Sequence, residues 1–224
     1  MPDLSTSLHT DMLASFEKAR AARSLPRRLY RAIRNELSEK GVYGTAWGDP
    51  ETMEPLMFVR DRWVLPYVRA DQTAVEIGPG GGRWTRYLLG FERLYAIDFY
   101  PELLAELKRS FTRANVTFVQ NSGSDFPGVP AGAVDFVFSF GCFVHLDNSI
   151  IERYLANLGE ILRPQANVVI QYSDVNKVMA RELLPHFAET TPEQMRSMVQ
   201  AAGFTVVEED LTTLWHSSLI RFRP

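Results

Sequence analysis

Val75-Glu76-Ile77-Gly78-Pro79-Gly80-Gly81-Gly82-Arg83-Trp84 reads as an apolar strand running into a glycine-rich turn and then a short helix. Glycine lets the backbone turn sharply and lets a ligand approach where a Cβ would collide with it. Sixteen residues after Gly82 a second apolar run, Leu94-Tyr95-Ala96-Ile97, ends in Asp98. An acid there can accept hydrogen bonds from both hydroxyls of a ribose, so turn and acid together point to a nucleoside-containing ligand.

Outward from this pair the chain is a ladder of strand candidates bounded by turn residues. They are Thr73–Ile77, Leu94–Ile97, Val116–Val119, Val134–Ser139, Asn167–Tyr172, Thr205–Glu208 and Ser217–Arg223. Helical patterns separate them. Pro101–Phe111 has proline near its start, and Asp147 can cap a helix whose Ile150, Ile151, Tyr154, Leu155, Leu158, Ile161 and Leu162 keep the 3.6-residue period. Thr191-Pro192-Glu193 opens another that Gly203 closes. Helices between strands require parallel pairing, whereas the gap from Glu208 to Ser217 holds no helix, so the last strand returns antiparallel. The expected fold is a three-layer α/β sheet of seven strands, mostly parallel, over residues 71–224, with an N-terminal helical cap over 1–70.

In that cap, Leu25, Leu29, Ile33 and Leu37 mark a basic amphipathic helix, and residues 53–68 suggest a helix leading into the first strand. Residues 1–40 carry eight Lys or Arg against five acids, net +3, which leaves −6 for the rest of a chain whose total is −3. The basic helix is either a solvated face or a grip for a phosphate-bearing substrate or RNA. The whole chain has no bias toward nucleic acid. Its 224 residues are 46% hydrophobic and 23% charged, enough for a large core. A single cysteine, Cys142, can form no internal disulfide and no structural zinc cluster, which suits a cytoplasmic protein. Around the most apolar segment the longest uncharged run, Phe136–Leu146, is eleven residues. About 20 are needed to span a bilayer, so no membrane insertion is expected. The first residues lack the basic-then-apolar pattern of a secretory leader.

The nicotinamide-enzyme fingerprint G-x-G-x-x-G needs a sixth-place glycine, but Arg83 or Thr85 stands there, depending on register. Acid-x-G-x-G-x-G does fit, as Glu76, Gly78, Gly80 and Gly82. On these residues, and on the strand order, residues of about 72 to 223 resemble the class I S-adenosylmethionine-dependent methyltransferases. The resemblance implies S-adenosylmethionine as cofactor and S-adenosylhomocysteine as product. Glu76 and the turn Gly78, Pro79, Gly80 and Gly82 would hold the methionine end, Asp98 the ribose, and Phe99 the adenine face. Where the family often has an aspartate that reads the adenine amine, this chain has Ser122, with Asn121 and Asp125 as substitutes. Phe140, in the fourth-strand segment, completes the expected cofactor contacts, and Leu162-Arg163-Pro164 resembles the turn before the fifth strand.

The acceptor must sit beyond the carboxyl ends of the same strands. There His145 and His216 are the only histidines, and Asp174 is the best-placed acid not assigned to the cofactor. A hydroxyl acceptor loses a proton as it attacks, so a histidine base suits it, and His145 is the first candidate. The alternative is a histidine packed behind the cofactor. Tyr43, Trp47, Trp215 and His216 are further candidate acceptor contacts, and the long stretch 174–190 is a candidate specificity segment. Cys142 reads as a small hydrophobe, because the proline that precedes a ring-methylating cysteine is Gly141 here. No ligand set for a metal is evident. The expected function is methyl transfer to a hydroxyl, with amine or carboxylate second, of a small molecule such as a sugar, lipid headgroup or natural product. The alternatives are an RNA or protein methyltransferase using the basic helix, and a cofactor-binding scaffold without turnover.

Overall fold

The computed structural model describes residues 48–184 and 186–224. The expected basic helix, Tyr43 and Trp47 lie outside them. Glu54–Val59 (α1) continues into a π-helical turn, Arg60–Val64, and a 3-10 turn, Leu65–Tyr67. The one helix expected over 53–68 is thus three pieces. Pro66 has no N–H with which to extend a regular helix, and the wider π turn buries both Trp63 and Val64.

The remaining elements are β1 (Thr73–Ile77), α2 (Thr85–Leu88), β2 (Arg93–Asp98), α3 (Pro101–Ser110), β3 (Val116–Gln120) and β4 (Val134–Ser139). After a 3-10 turn at Phe143–His145 come α4 (Asn148–Ile161), β5 (Leu162–Ser173), α5 (Val178–Glu182), α6 (Pro192–Ala201), β6 (Thr205–Asp210) and β7 (Ser217–Arg223). The seven strands form one sheet in the order β3-β2-β1-β4-β5-β7-β6. β1 to β5 pair in parallel, and β7 enters antiparallel between β5 and β6.

Strands β1, β2 and β4 are apolar in succession because helices cover both faces. On one face Ile151, Tyr154, Leu155 and Leu158 of α4 and Met195 and Val199 of α6 pack on Val75, Ile77, Ile97, Val137 and Ile170. On the other, Leu56, Val59, Trp63 and Val64 join Trp84, Leu88 and Leu107 over Ala74, Phe136, Phe138 and Val169. Residues 54–67 therefore share the core of the sheet.

Leu162-Arg163-Pro164, expected as a turn, lies inside a longer β5. Between the pairs Val134↔Leu162 and Phe136↔Asn167, β5 spends four residues against one on β4. This bulge accommodates Pro164, which cannot donate to a ladder. α6 begins with the capping box of Thr191 and Gln194.

Candidate active site

β1 lies between β2 and β4, so the chain leaves it in one direction along the sheet and later returns on its other side. At such a switch point the loops splay apart and open a crevice beyond the strand ends. The glycine turn forms its floor. Gly78 has φ +69° and donates its N–H to the Ile97 carbonyl at 2.8 Å. A Cβ there would come within 2.5 Å of the Cys142 Cβ, and one on Gly82 within 2.2 Å of the Phe111 ring. Packing against the protein's own side chains thus demands glycine at both positions. Cys142 fills that space as a thiol pushed up to about 12 by burial.

Asp98 closes β2, only 7% exposed. Its Oδ1 accepts from the Tyr100 amide at 3.0 Å, and its Oδ2 only a long bond from the Gly80 amide at 3.4 Å. Burial pushes this carboxyl up to about 6 against the pull of those amides. Glu76 is deeper, 2% exposed, and accepts the Thr85 hydroxyl at 2.6 Å. Burial raises it to about 8, the Thr85 bond opposes the rise, and the Asp98 charge adds to it.

Phe99 is 52% exposed, edge-on to Tyr100, with Gly123 of the next loop beside it. Asp125 accepts the Ser122 amide at 2.6 Å and so shapes the turn after β3. Asn121 is buried: its amide nitrogen donates to the Tyr154 hydroxyl at 2.8 Å, while its Oδ1 has no partner among the described residues.

These groups fit S-adenosylmethionine. Asp98 has acceptor capacity for two hydroxyls, Phe99 offers a bare ring face, and Asn121 keeps an acceptor that an amine can complete. Among the described residues no basic side chain acts on Glu76 or Asp98, so a cationic ligand is complementary to them. No cluster of three or more His, Cys, Asp or Glu suits a metal among the described residues.

Beside the glycine turn, Phe140, the expected cofactor contact after β4, packs on Trp84 with ring centroids 4.7 Å apart, and the Arg83 guanidinium sits 5.5 Å from the Phe140 centroid. Next to them, Phe187 meets His145 at 5.2 Å and His216 at 5.0 Å, edge-on to both. His145 Nδ1 lies 2.8 Å from the His186 carbonyl, which can only accept, so the proton is on Nδ1 and Nε2 carries the free lone pair. The His145 side chain is exposed at its edge, and desolvation by its surroundings lowers its pKa, with the His186 carbonyl opposing. His216 drops to about 4, first through burial, then through the Lys177, His145 and Arg83 charges.

Two histidine loops are thus brought together, and Gln171 ties them. It is 1% exposed, accepts the Gly141 amide at 2.6 Å and donates to Ser217 Oγ at 2.6 Å. Asp174 is buried and occupied: Ser218 Oγ donates to one oxygen at 2.7 Å and the Asn176 amide to the other at 3.1 Å. Trp215 is on the rim, 39% exposed. Phe187, the His186 carbonyl, Gln171 and Thr85 were not among the residues singled out from sequence. A glutamine inside the apolar run Val168–Tyr172 was the one available signal.

The "Methyltransferase domain" family model matches residues 74–165. No curated protein sequence matches the chain significantly. Among solved structures, the methyltransferase from the complex with the Haloferax volcanii Trm112 methyltransferase activator superposes with TM-score 0.66 at 16% identity, over 85% of this chain and 96% of that one. A Clostridium acetobutylicum S-adenosylmethionine-dependent methyltransferase gives TM-score 0.66 at 10% identity, over 87% and 98%. The glycopeptide N-methyltransferase MtfA, complexed with S-adenosylmethionine, gives 0.57 at 17%, over 76% and 86%. At such identities the superpositions speak for the fold. The family match marks residues 74–165, from β1 to the start of β5, as a methyltransferase domain, and the crevice chemistry described above fits S-adenosylmethionine as its cofactor.

Proposed function

We propose that this methyltransferase acts on a hydroxyl of a small molecule such as a sugar, lipid headgroup or natural product, with His145 as general base. The observation that carries the reading is the His145 Nδ1 bond to the His186 carbonyl at 2.8 Å, which presents Nε2 as a proton acceptor in the crevice. S-adenosylmethionine supplies, when bound, a methyl group already activated by its sulfonium. The protein then has to align the acceptor, exclude water and take up the hydroxyl proton. His145 Nε2 takes that proton, and its lowered pKa keeps it neutral and ready at pH 7. Phe187 and Trp215 supply apolar walls that exclude water, and Phe140 completes the cofactor contacts. Glu76 and the 78–82 turn hold the methionine end, Asp98 the ribose, and Phe99 with Asn121 and Ser122 the adenine.

We place the cofactor and base in a domain of residues 71–224 and give residues 1–70, whose 54–67 segment packs into the core of the sheet, the role of a cap that helps select the acceptor; we place the protein in the cytoplasm. Among the described residues no helix is long and apolar enough to cross a membrane.

A panel of hydroxyl, amine and carboxylate acceptors, read by S-adenosylhomocysteine release, tests the reading. Turnover of amines alone, as in an N-methyltransferase, or of RNA or protein alone, would overturn it. With an acceptor in hand, His145→Gln should leave cofactor affinity unchanged and lower kcat by about 10²–10⁴-fold, the usual contribution of a general base. An unchanged kcat removes His145 from the mechanism.

A further inference from the structure

The cofactor half of the crevice holds two buried carboxyls on which no basic side chain of the described residues acts. Glu76 stands in register with Ala96 on β2 and Phe138 on β4, neither of them ionisable. Around it are the Thr85 hydroxyl on α2, the Asp98 carboxyl at the end of β2 and, across Gly78, the Cys142 thiol, which burial keeps neutral. The desolvation cost of a lone buried carboxylate is met by keeping the proton, not by a partner. A hydroxyl is the only side-chain donor it has among the described residues, and the nearby Asp98 charge opposes a second negative charge.

We propose that Glu76 is protonated in the free protein and gives up its proton when the α-ammonium of the cofactor docks against it, so that cofactor uptake expels one proton. The balance is simple: the carboxyl O–H breaks, the proton leaves to solvent, and the carboxylate that remains is neutralised by an ammonium that keeps its own three N–H bonds. The ammonium, not the sulfonium, is the trigger, because only N–H groups can fill the carboxylate lone pairs that Thr85 leaves open. Burial and the Asp98 charge hold Glu76 at about 8, which makes it mostly protonated at pH 7. The carboxyl thereby also sets selectivity, favouring nucleosides that carry the amino-acid tail. The inference rests on the cofactor assignment and is independent of the acceptor.

The experiment is calorimetric titration of the full-length protein at pH 7 in phosphate, imidazole and Tris, whose protonation enthalpies differ. The slope of observed enthalpy against buffer enthalpy counts protons released. With S-adenosylhomocysteine and with S-adenosylmethionine the slope should give about one proton; with 5′-methylthioadenosine, which lacks the ammonium, about none. Glu76→Gln matches the neutral carboxyl in shape and still accepts from Thr85, so it should fold, bind more weakly and release no proton. Wild-type affinity for S-adenosylhomocysteine should rise about tenfold from pH 6.5 to 7.5, and that of Glu76→Gln should stay flat.

Identical enthalpies in all three buffers, equal release with methylthioadenosine, release with S-adenosylmethionine but not with S-adenosylhomocysteine, or persistent release from Glu76→Gln would each overturn the proposal. Absence of binding by all three nucleosides is a different result: it removes the cofactor assignment itself, and the proposal with it.

Discussion

Asp98→Ala is expected to weaken S-adenosylhomocysteine binding by about a hundredfold or more. A carboxylate taking two ribose hydroxyls makes two charge-assisted bonds, each worth about 1.5–3 kcal/mol, and about 1.4 kcal/mol is a factor of ten. Folding should not suffer in parallel. Burial raises Asp98 from 3.8 to about 6, so the folded state binds the proton more tightly than the unfolded chain. The stability tied to that proton is complete below the unfolded pKa and is lost as pH rises through 6. At pH 7 the ionised carboxylate is therefore a cost to the free protein, and Asp98→Ala should melt at the wild-type temperature or above it. Calorimetry and thermal melts on the same sample separate the two effects. Affinity within threefold of wild type would show that Asp98 does not hold the ribose.

Phe136→Ala should be the most destabilising of the variants considered. The ring is buried in the middle of the sheet, stacked on Tyr67 at 5.2 Å and 8° and on Phe91 at 5.6 Å and 12°. Removing a buried phenyl ring leaves a cavity and costs about 3–5 kcal/mol. That is a large share of the roughly 5–15 kcal/mol that holds a domain together, and in a chain of this size it lowers Tm by about 10 °C. Phe136→Leu should cost clearly less, since much of the volume remains. Because Tyr67 belongs to the segment before β1, a full-sized effect also reports that this segment is part of the sheet's core. A shift in the urea midpoint equivalent to less than about 1 kcal/mol would contradict the packing described.

The sheet was legible because its signals are local. Apolar runs of five or six residues bounded by glycine, proline and polar turns placed all seven strands within a few residues, except β5, which starts at Leu162. Its first residues read as a turn because Pro164 looks like a breaker when a bulge is not foreseen. The features at the ends of β1 and β2 were legible for a related reason. The glycine turn and the acid after β2 are tied to strand ends, and strand ends are what periodicity finds.

The histidine loops were not legible in the same way. His145, Phe187 and His216 are far apart in the chain, and tertiary contacts such as the pairing of β5 with β7 and the bond from Ala188 N to the Val144 carbonyl bring them together. Asp174 looked available in the sequence and is consumed by Ser218 and Asn176. Gln171, mid-strand and polar, acquires meaning only when Gly141 and Ser217 lie on either side of it.

The strands, their α/β order and the positions of Glu76, the glycine turn and Asp98 follow from the linear order of residues, since each depends on short-range periodicity and backbone permission. Which groups are charged and which are engaged follows instead from the folded arrangement. Desolvation and hydrogen bonding depend on what surrounds an atom in space: the same carboxyl type is held as a neutral acid at Glu76, tied up at Asp174 and left with open lone pairs at Asp98.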